Sequence, residues 1–279
     1  MRIQHSYAKA NRDDQVPPIR PGRTLCDPSD DTAAALATAR DRLTMTAKQC
    51  QQRKALSNGG PYYGEKGQLE ELVREIARSD GVDALVTRNN YGCLVLNAAR
   101  ALFIDVDMPE PSPATGRINE CGDRLEGLWR RSFDDLRTVL ASEGEEGFRI
   151  YRTAAGFRVL ATTHEFDPGS PQSYRLMNAV GADADFVRLC GIQNSFRARL
   201  TPKPWRCGMP QPPSSFPRRL PDDQRRFAAW LAQYERASRD RATCQYLEDI
   251  GPSDRHPRLA PIVEFHDRES RAFEPLYLA

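Results

Sequence analysis

Runs of apolar residues along the chain follow either the helical period or strand alternation, and each run predicts an element. Ala101-Leu102-Phe103-Ile104 is apolar without helix-period breaks and passes into Asp105-Val106-Asp107, so residues 102–106 read as a buried strand ending in two carboxylates. Residues 84–87 and 92–96 are shorter strands of the same kind, with Asn89-Asn90-Tyr91-Gly92 between them supplying turn chemistry. Together the runs predict an antiparallel meander whose last strand carries the acids. Residues 148–153 and 157–162 alternate about Ala154-Ala155-Gly156, the pattern of a hairpin, and residues 195–200 read as a last strand.

Helical spacing takes over elsewhere. Leu125, Leu128, Trp129, Phe133, Leu136 and Leu140 place one apolar face on a long helix over residues 121–142. An alanine-rich segment over residues 31–57, capped by Asp31 and stopped by Asn58-Gly59-Gly60-Pro61, reads as a helix after an extended, proline-bearing arm. Leu69, Leu72, Val73 and Ile76 form a helical stripe over residues 68–78. Short helices are expected at residues 171–180 and 184–190, and another at 222–239 after the proline-dense stretch 202–221. This order predicts an α+β fold: a mostly antiparallel, palm-like (RRM-like) sheet covered by helices, with N-terminal and C-terminal helical additions. The expected division is an arm and helix over residues 1–60, the palm-like domain over 61–210 and a helical extension over 211–279.

Composition narrows the field. Forty basic and thirty-eight acidic side chains leave a net charge of +2, which gives no bulk electrostatic case for a histone-like nucleic-acid binder and makes any basic surface local. No apolar run reaches the length of a bilayer span, and Met1-Arg2-Ile3-Gln4-His5 lacks the apolar region of a secretory leader, so no membrane partner and a cytoplasmic location are expected. The seven cysteines are scattered without a Cys-x-x-Cys pair, against both a disulfide framework and a structural zinc site. Glycine-rich phosphate loops and nucleophile elbows are also missing from the sequence.

The pleat puts Asp105 and Asp107 on one side of their strand, where like charges share a proton or hold a cation, a hard divalent metal being the natural choice. The plainer alternative is that these acids end the strand in solvent. Arg152 and Arg158 flank the hairpin turn and could hold phosphate oxygens, although alternating arginines also mark an ordinary half-buried hairpin. The densest basic segment is Ser195-Phe196-Arg197-Ala198-Arg199-Leu200-Thr201-Pro202-Lys203-Pro204-Trp205-Arg206. Phe196, Ala198 and Leu200 would pack inward, leaving Arg197 and Arg199 outward together with Lys203, either as a phosphate-and-base surface or as a solvated face. Asp183 fits a helix N-cap and Asp185 a third catalytic carboxylate. His164 and Glu165 are candidate ligands or bases of lesser weight, and His266-Asp267 lacks the spacing of a metal-dependent phosphohydrolase.

In this order the motifs resemble the archaeo-eukaryotic primase (primase-polymerase) superfamily over residues 82–206. Phe103-Ile104-Asp105-Val106-Asp107 matches its hydrophobic-Asp-hydrophobic-Asp signature, and Tyr151-Arg152-Thr153-Ala154-Ala155-Gly156-Phe157-Arg158 its glycine turn, with Arg158 where the family has a nucleotide-binding histidine. Asp185 after Ala184 is a loose match to its third acid. Haloacid-dehalogenase phosphatases and metal-using glycosyltransferases share only the first pattern, in other sequence contexts. The resemblance implies a metal-dependent nucleotidyltransferase acting on nucleoside triphosphates and nucleic acid, DNA or RNA. Asp105, Asp107 and Asp185 would then hold Mg²⁺ or Mn²⁺, while Arg152, Arg158, Arg197, Arg199 and Lys203 neutralise phosphate. The alternative is a non-catalytic nucleic-acid- or nucleotide-binding protein on the same fold with a degenerate site.

Overall fold

Strand pairing sorts the described residues into two antiparallel four-stranded sheets and a short parallel pair. A computed structural model describes residues 70–78, 81–108 and 118–279; the helix expected over residues 31–57 and the arm before it lie outside the described residues. In the first sheet β1 (Glu71–Arg78), β2 (Gly81–Arg88), β3 (Leu94–Ala98) and β7 (Phe196–Arg199) are neighbours in that order. In the second, β4 (Phe103–Asp107) pairs with β6 (Gly156–Ala161), β6 with β5 (Phe148–Thr153), and β5 with β9 (Cys244–Ile250). β8 (Arg241–Ala242) and β10 (Tyr277–Leu278) form the parallel pair.

Five helices accompany these strands among the described residues: α1 (Ile118–Ala141), α2 (Pro171–Ala179), α3 (Ala184–Gln193), α4 (Pro221–Ala237) and α5 (Ala260–Ser270). The architecture is therefore α+β with antiparallel sheets. One core joins the inner residues of both sheets, among them Val86, Leu96, Phe196, Ile104, Val159 and Ile150, to Leu136 and Leu140 of α1 and Ile262 and Val263 of α5. α1 also sets Trp129 and Phe133 against Phe157 of β6, with ring centroids 5.0 and 5.6 Å apart. α5 lies on the other face of the second sheet, where His266 meets Phe103 and Tyr151.

Three expectations need correction. Residues 71–78 form a strand, not a helix: β1 pairs with β2 along its length, and register shifts between Leu72 and Arg74 and between Ile76 and Ala77 break the strict alternation that would have marked it. β4 does not extend a meander with β2 and β3, because it crosses to the second sheet. β7 is not the last strand, and β9 belongs to the sheet that carries the acidic pair, so that sheet runs past residue 210.

The segment after β7 is mounted on α4. Phe227, Trp230 and Tyr234 stack along one side of α4 with Met209 against them. Tyr234 donates to the Pro202 carbonyl at 2.5 Å and Trp230 Nε1 to that of Pro210 at 2.9 Å. Gly92 lies under the same indole at φ +80°, where a Cβ would overlap the Trp230 ring.

Candidate functional site

Asp105 and Arg158 are directly opposed in the β4–β6 ladder. Arg158 Nε donates to Asp105 Oδ1 at 2.7 Å and Nη2 to Oδ2 at 2.9 Å, a two-pronged grip on the carboxylate. The guanidinium is only 1% exposed. Its remaining nitrogen, Nη1, donates to the Arg199 carbonyl at 2.8 Å and faces His266 Nε2 at 3.3 Å. Burial acts to raise the Asp105 pKa, but the charge and hydrogen bonds of Arg158, helped by the charge of Arg199, outweigh it and hold the carboxyl below its ordinary value. Burial and Asp105 likewise act in opposite senses on Arg158, and Asp105 keeps it charged.

A continuous polar chain runs on from this pair through the interior. His266 is fully buried and its Nδ1 lies 3.2 Å from Asp267 Oδ1. A guanidinium only donates, so the tautomer with the proton on Nδ1 satisfies both neighbours, leaving Nε2 as acceptor. Burial, reinforced by the Arg158 charge, lowers the His266 pKa against the pull of Asp267, so the ring stays neutral. Asp267 also accepts from the Tyr151 hydroxyl at 2.5 Å and from Arg149 Nη1 at 2.5 Å. Arg149 in turn grips Asp249 of β9 at 2.8 and 3.0 Å. Cys244 lies 4.0 Å from His266 Nε2, its thiol pushed up to about 11 by burial.

Asp107 is differently placed. It is exposed, opposite Gly156, and makes no hydrogen bond or ion pair among the described residues. Partial burial and the nearby charges of Asp105 and Asp183 raise its pKa, opposed by Lys203 and Arg199. Arg199, Lys203 and Arg206 gather on the same side, none with an ion-pair partner among the described residues. Burial, and then mutual repulsion with Arg199 and Arg206, holds Lys203 below its ordinary pKa, with Asp107 in partial compensation. Arg206 is lowered by burial and by Arg199. Crowded, partly desolvated cations of this kind favour an anion that brings them together.

The other expected site residues lie elsewhere. Asp185 is an exposed first-turn residue of α3 with Arg188 at 3.7 Å, whereas Asp183 caps the helix by accepting from the Phe186 amide and is the acid whose charge reaches Asp107. Arg152 stacks over Trp129 at 4.4 Å. Arg197 is held by Glu70 at 2.6 Å and Gln193 at 2.7 Å, which leaves Arg199 as the outward arginine of β7 facing the acids. His164 bonds Glu146 at 2.7 Å beyond the hairpin. Both Asp105 oxygens face Arg158, so the donor set does not fit a pair of metal ions bridged by the acids. Among the described residues no three His, Cys, Asp or Glu side chains group to hold a metal ion. Sequence reasoning set His266 and Asp267 aside and left Arg206 out of the phosphate set. The signal for the first two was an apolar helix face, Ile262, Val263 and Phe265, carrying an ionisable pair inward. Comparison with protein-family models, with curated proteins and with solved structures finds no match.

Proposed function

We propose that the chain binds the phosphate groups of nucleic acid or nucleotide through Arg199, Lys203 and Arg206, on a site where Arg158 already occupies both oxygens of Asp105. The observation that carries this reading is the convergence of those three cations beside Asp107 with no ion-pair partner among the described residues. Arg197 of the same strand, by contrast, is paired with Glu70. Arg199 is also fixed at its backbone by Arg158, so its side chain starts from a rigid point.

The test is binding of a fluorescently labelled oligonucleotide to the full chain over a salt series. Three phosphate contacts predict a log–log slope of about −2 on a single strand, reduced by about 0.7 for each of Arg199→Ala, Lys203→Ala and Arg206→Ala. Chelator should leave the affinity unchanged. Binding that is insensitive to salt and to all three substitutions would sink the reading.

A second reading, metal-dependent nucleotidyl transfer, is favoured by one observation: Asp107 keeps its oxygens clear of Arg158 and carries a pKa raised by partial burial and by the charges of Asp105 and Asp183. It predicts metal-dependent nucleotide incorporation that disappears in Asp105→Ala/Asp107→Ala.

A further inference from the structure

Trp205 is 46% exposed, an unusual position for an indole inside a basic segment. Its mount is rigid. Trp205 sits in a 3₁₀ turn, Pro204–Cys207, closed by the Arg206 amide on the Lys203 carbonyl and the Met209 amide on the Pro204 carbonyl, both at 2.9 Å. The neighbouring Pro202 carbonyl is pinned by the Tyr234 hydroxyl and by Cys93 Sγ. Tyr91 braces the indole at right angles, 5.1 Å between centroids, and Lys203 Nζ lies 5.4 Å from the ring centre.

The indole is therefore held in place with much of its surface in water, between Lys203 and Arg206 in the sequence. Those two cations belong to the cluster that faces Asp107. A flat, electron-rich ring fixed beside phosphate-binding groups is the arrangement that takes a nucleobase while its backbone passes the cations. Duplex DNA keeps its bases stacked on one another and offers no free face to such a ring. From this geometry we infer that Trp205 is a stacking platform for one unpaired base, so the ligand at the basic cluster is single-stranded nucleic acid. The inference rests on the phosphate-binding reading and names its substrate class. Lys203 serves both halves, meeting phosphate and lying against the ring that carries the base.

The experiment compares, on the full chain, a labelled single-stranded oligonucleotide, an abasic strand of the same length and the corresponding duplex. The wild-type protein should bind the base-bearing strand about tenfold more tightly than the abasic one. Trp205→Ala should abolish that difference while leaving the abasic strand's affinity unchanged, and Trp205→Phe should restore most of it. Equal affinity for the base-bearing and abasic strands, duplex bound as tightly as single strand, or full affinity in Trp205→Ala overturns the stacking role and leaves phosphate binding standing. Absence of binding to all three ligands at low salt overturns the phosphate-binding reading itself.

Discussion

Arg158 meets Asp105 from the facing position of the β4–β6 ladder and occupies both of its carboxylate oxygens, at 2.7 and 2.9 Å. The charge that looked ready for a divalent metal is answered by a side chain two strands of sequence away, and the guanidinium is the more deeply buried partner.

Breaking this pair from one side should be costly. Asp105→Leu strands a fully buried guanidinium and should destabilise the protein by about 4 kcal/mol; Arg158→Leu, which leaves a carboxyl able to reach water or take a proton, should cost about 3 kcal/mol. The double substitution should recover much of the loss, because neither charge is then left alone. Urea denaturation of the four proteins measures the coupling, and strictly additive costs would show the two groups to be energetically independent.

Acid should weaken the fold in two stages. His266 is held below its ordinary value of 6.5, so the unfolded chain takes up that proton first and stability declines as the pH falls past 6.5. Asp105 and Asp267 are held below 3.8, so their contributions persist until the pH falls past 3.8 towards their lowered folded values. Asp107, raised instead, acts with the opposite sign just above 3.8, and its exposure keeps that effect small. His266→Gln should flatten the first stage and spare the second in thermal melts taken across pH. An unchanged first stage in the variant would place its origin elsewhere.

The two arginines of β7 should behave differently although they share a face. Arg197→Ala removes a partner of Glu70 and Gln193 and should lower stability while leaving oligonucleotide affinity and its salt slope as they were. Arg199→Ala should do the reverse. Anisotropy titrations at two salt concentrations, paired with thermal melts, separate the cases; equal loss of binding in both would mean that the whole strand face is in contact with the ligand.

Gly156 should not tolerate a side chain. It faces Asp107 in the ladder without a positive φ, and a Cβ would overlap the Val106 carbonyl oxygen. Gly156→Ala should push β4 away from β6 at a cost of about 2 kcal/mol, visible as a lowered denaturation midpoint. The glycine of the hairpin thus answers to the close approach of β4. A wild-type midpoint in the variant would show that β4 gives way freely.

The hairpin, the long helix over Ile118–Ala141, the Asp183 cap and the inward set Phe196, Ala198 and Leu200 were readable in the sequence because each depends on local periodicity. β1 was not, since its bulges give Leu72 and Ile76 a helix-like spacing. The site was half readable. Asp105, Asp107, Arg199 and Lys203 stood out by type and spacing, but which of them would remain unpaired depends on the β4–β6 and β3–β7 pairings, which join residues far apart in the chain. His266 and Asp267 were set aside for lacking phosphohydrolase spacing, and their link to Arg158 and Tyr151 depends on how α5 packs on the second sheet.

The bond from Arg158 to the Arg199 carbonyl ties the two sheets together at the point where the acids and the basic strand meet. A mutational path that replaces Arg158 therefore has no neutral first step. Replacing Arg158 with histidine would at once leave Asp105 without its bidentate partner and the Arg199 carbonyl without its donor, so the change is acceptable only after substitutions elsewhere have made both losses harmless. Residue 158 is entrenched: its neighbours, more than any present ligand, decide which side chains that position accepts.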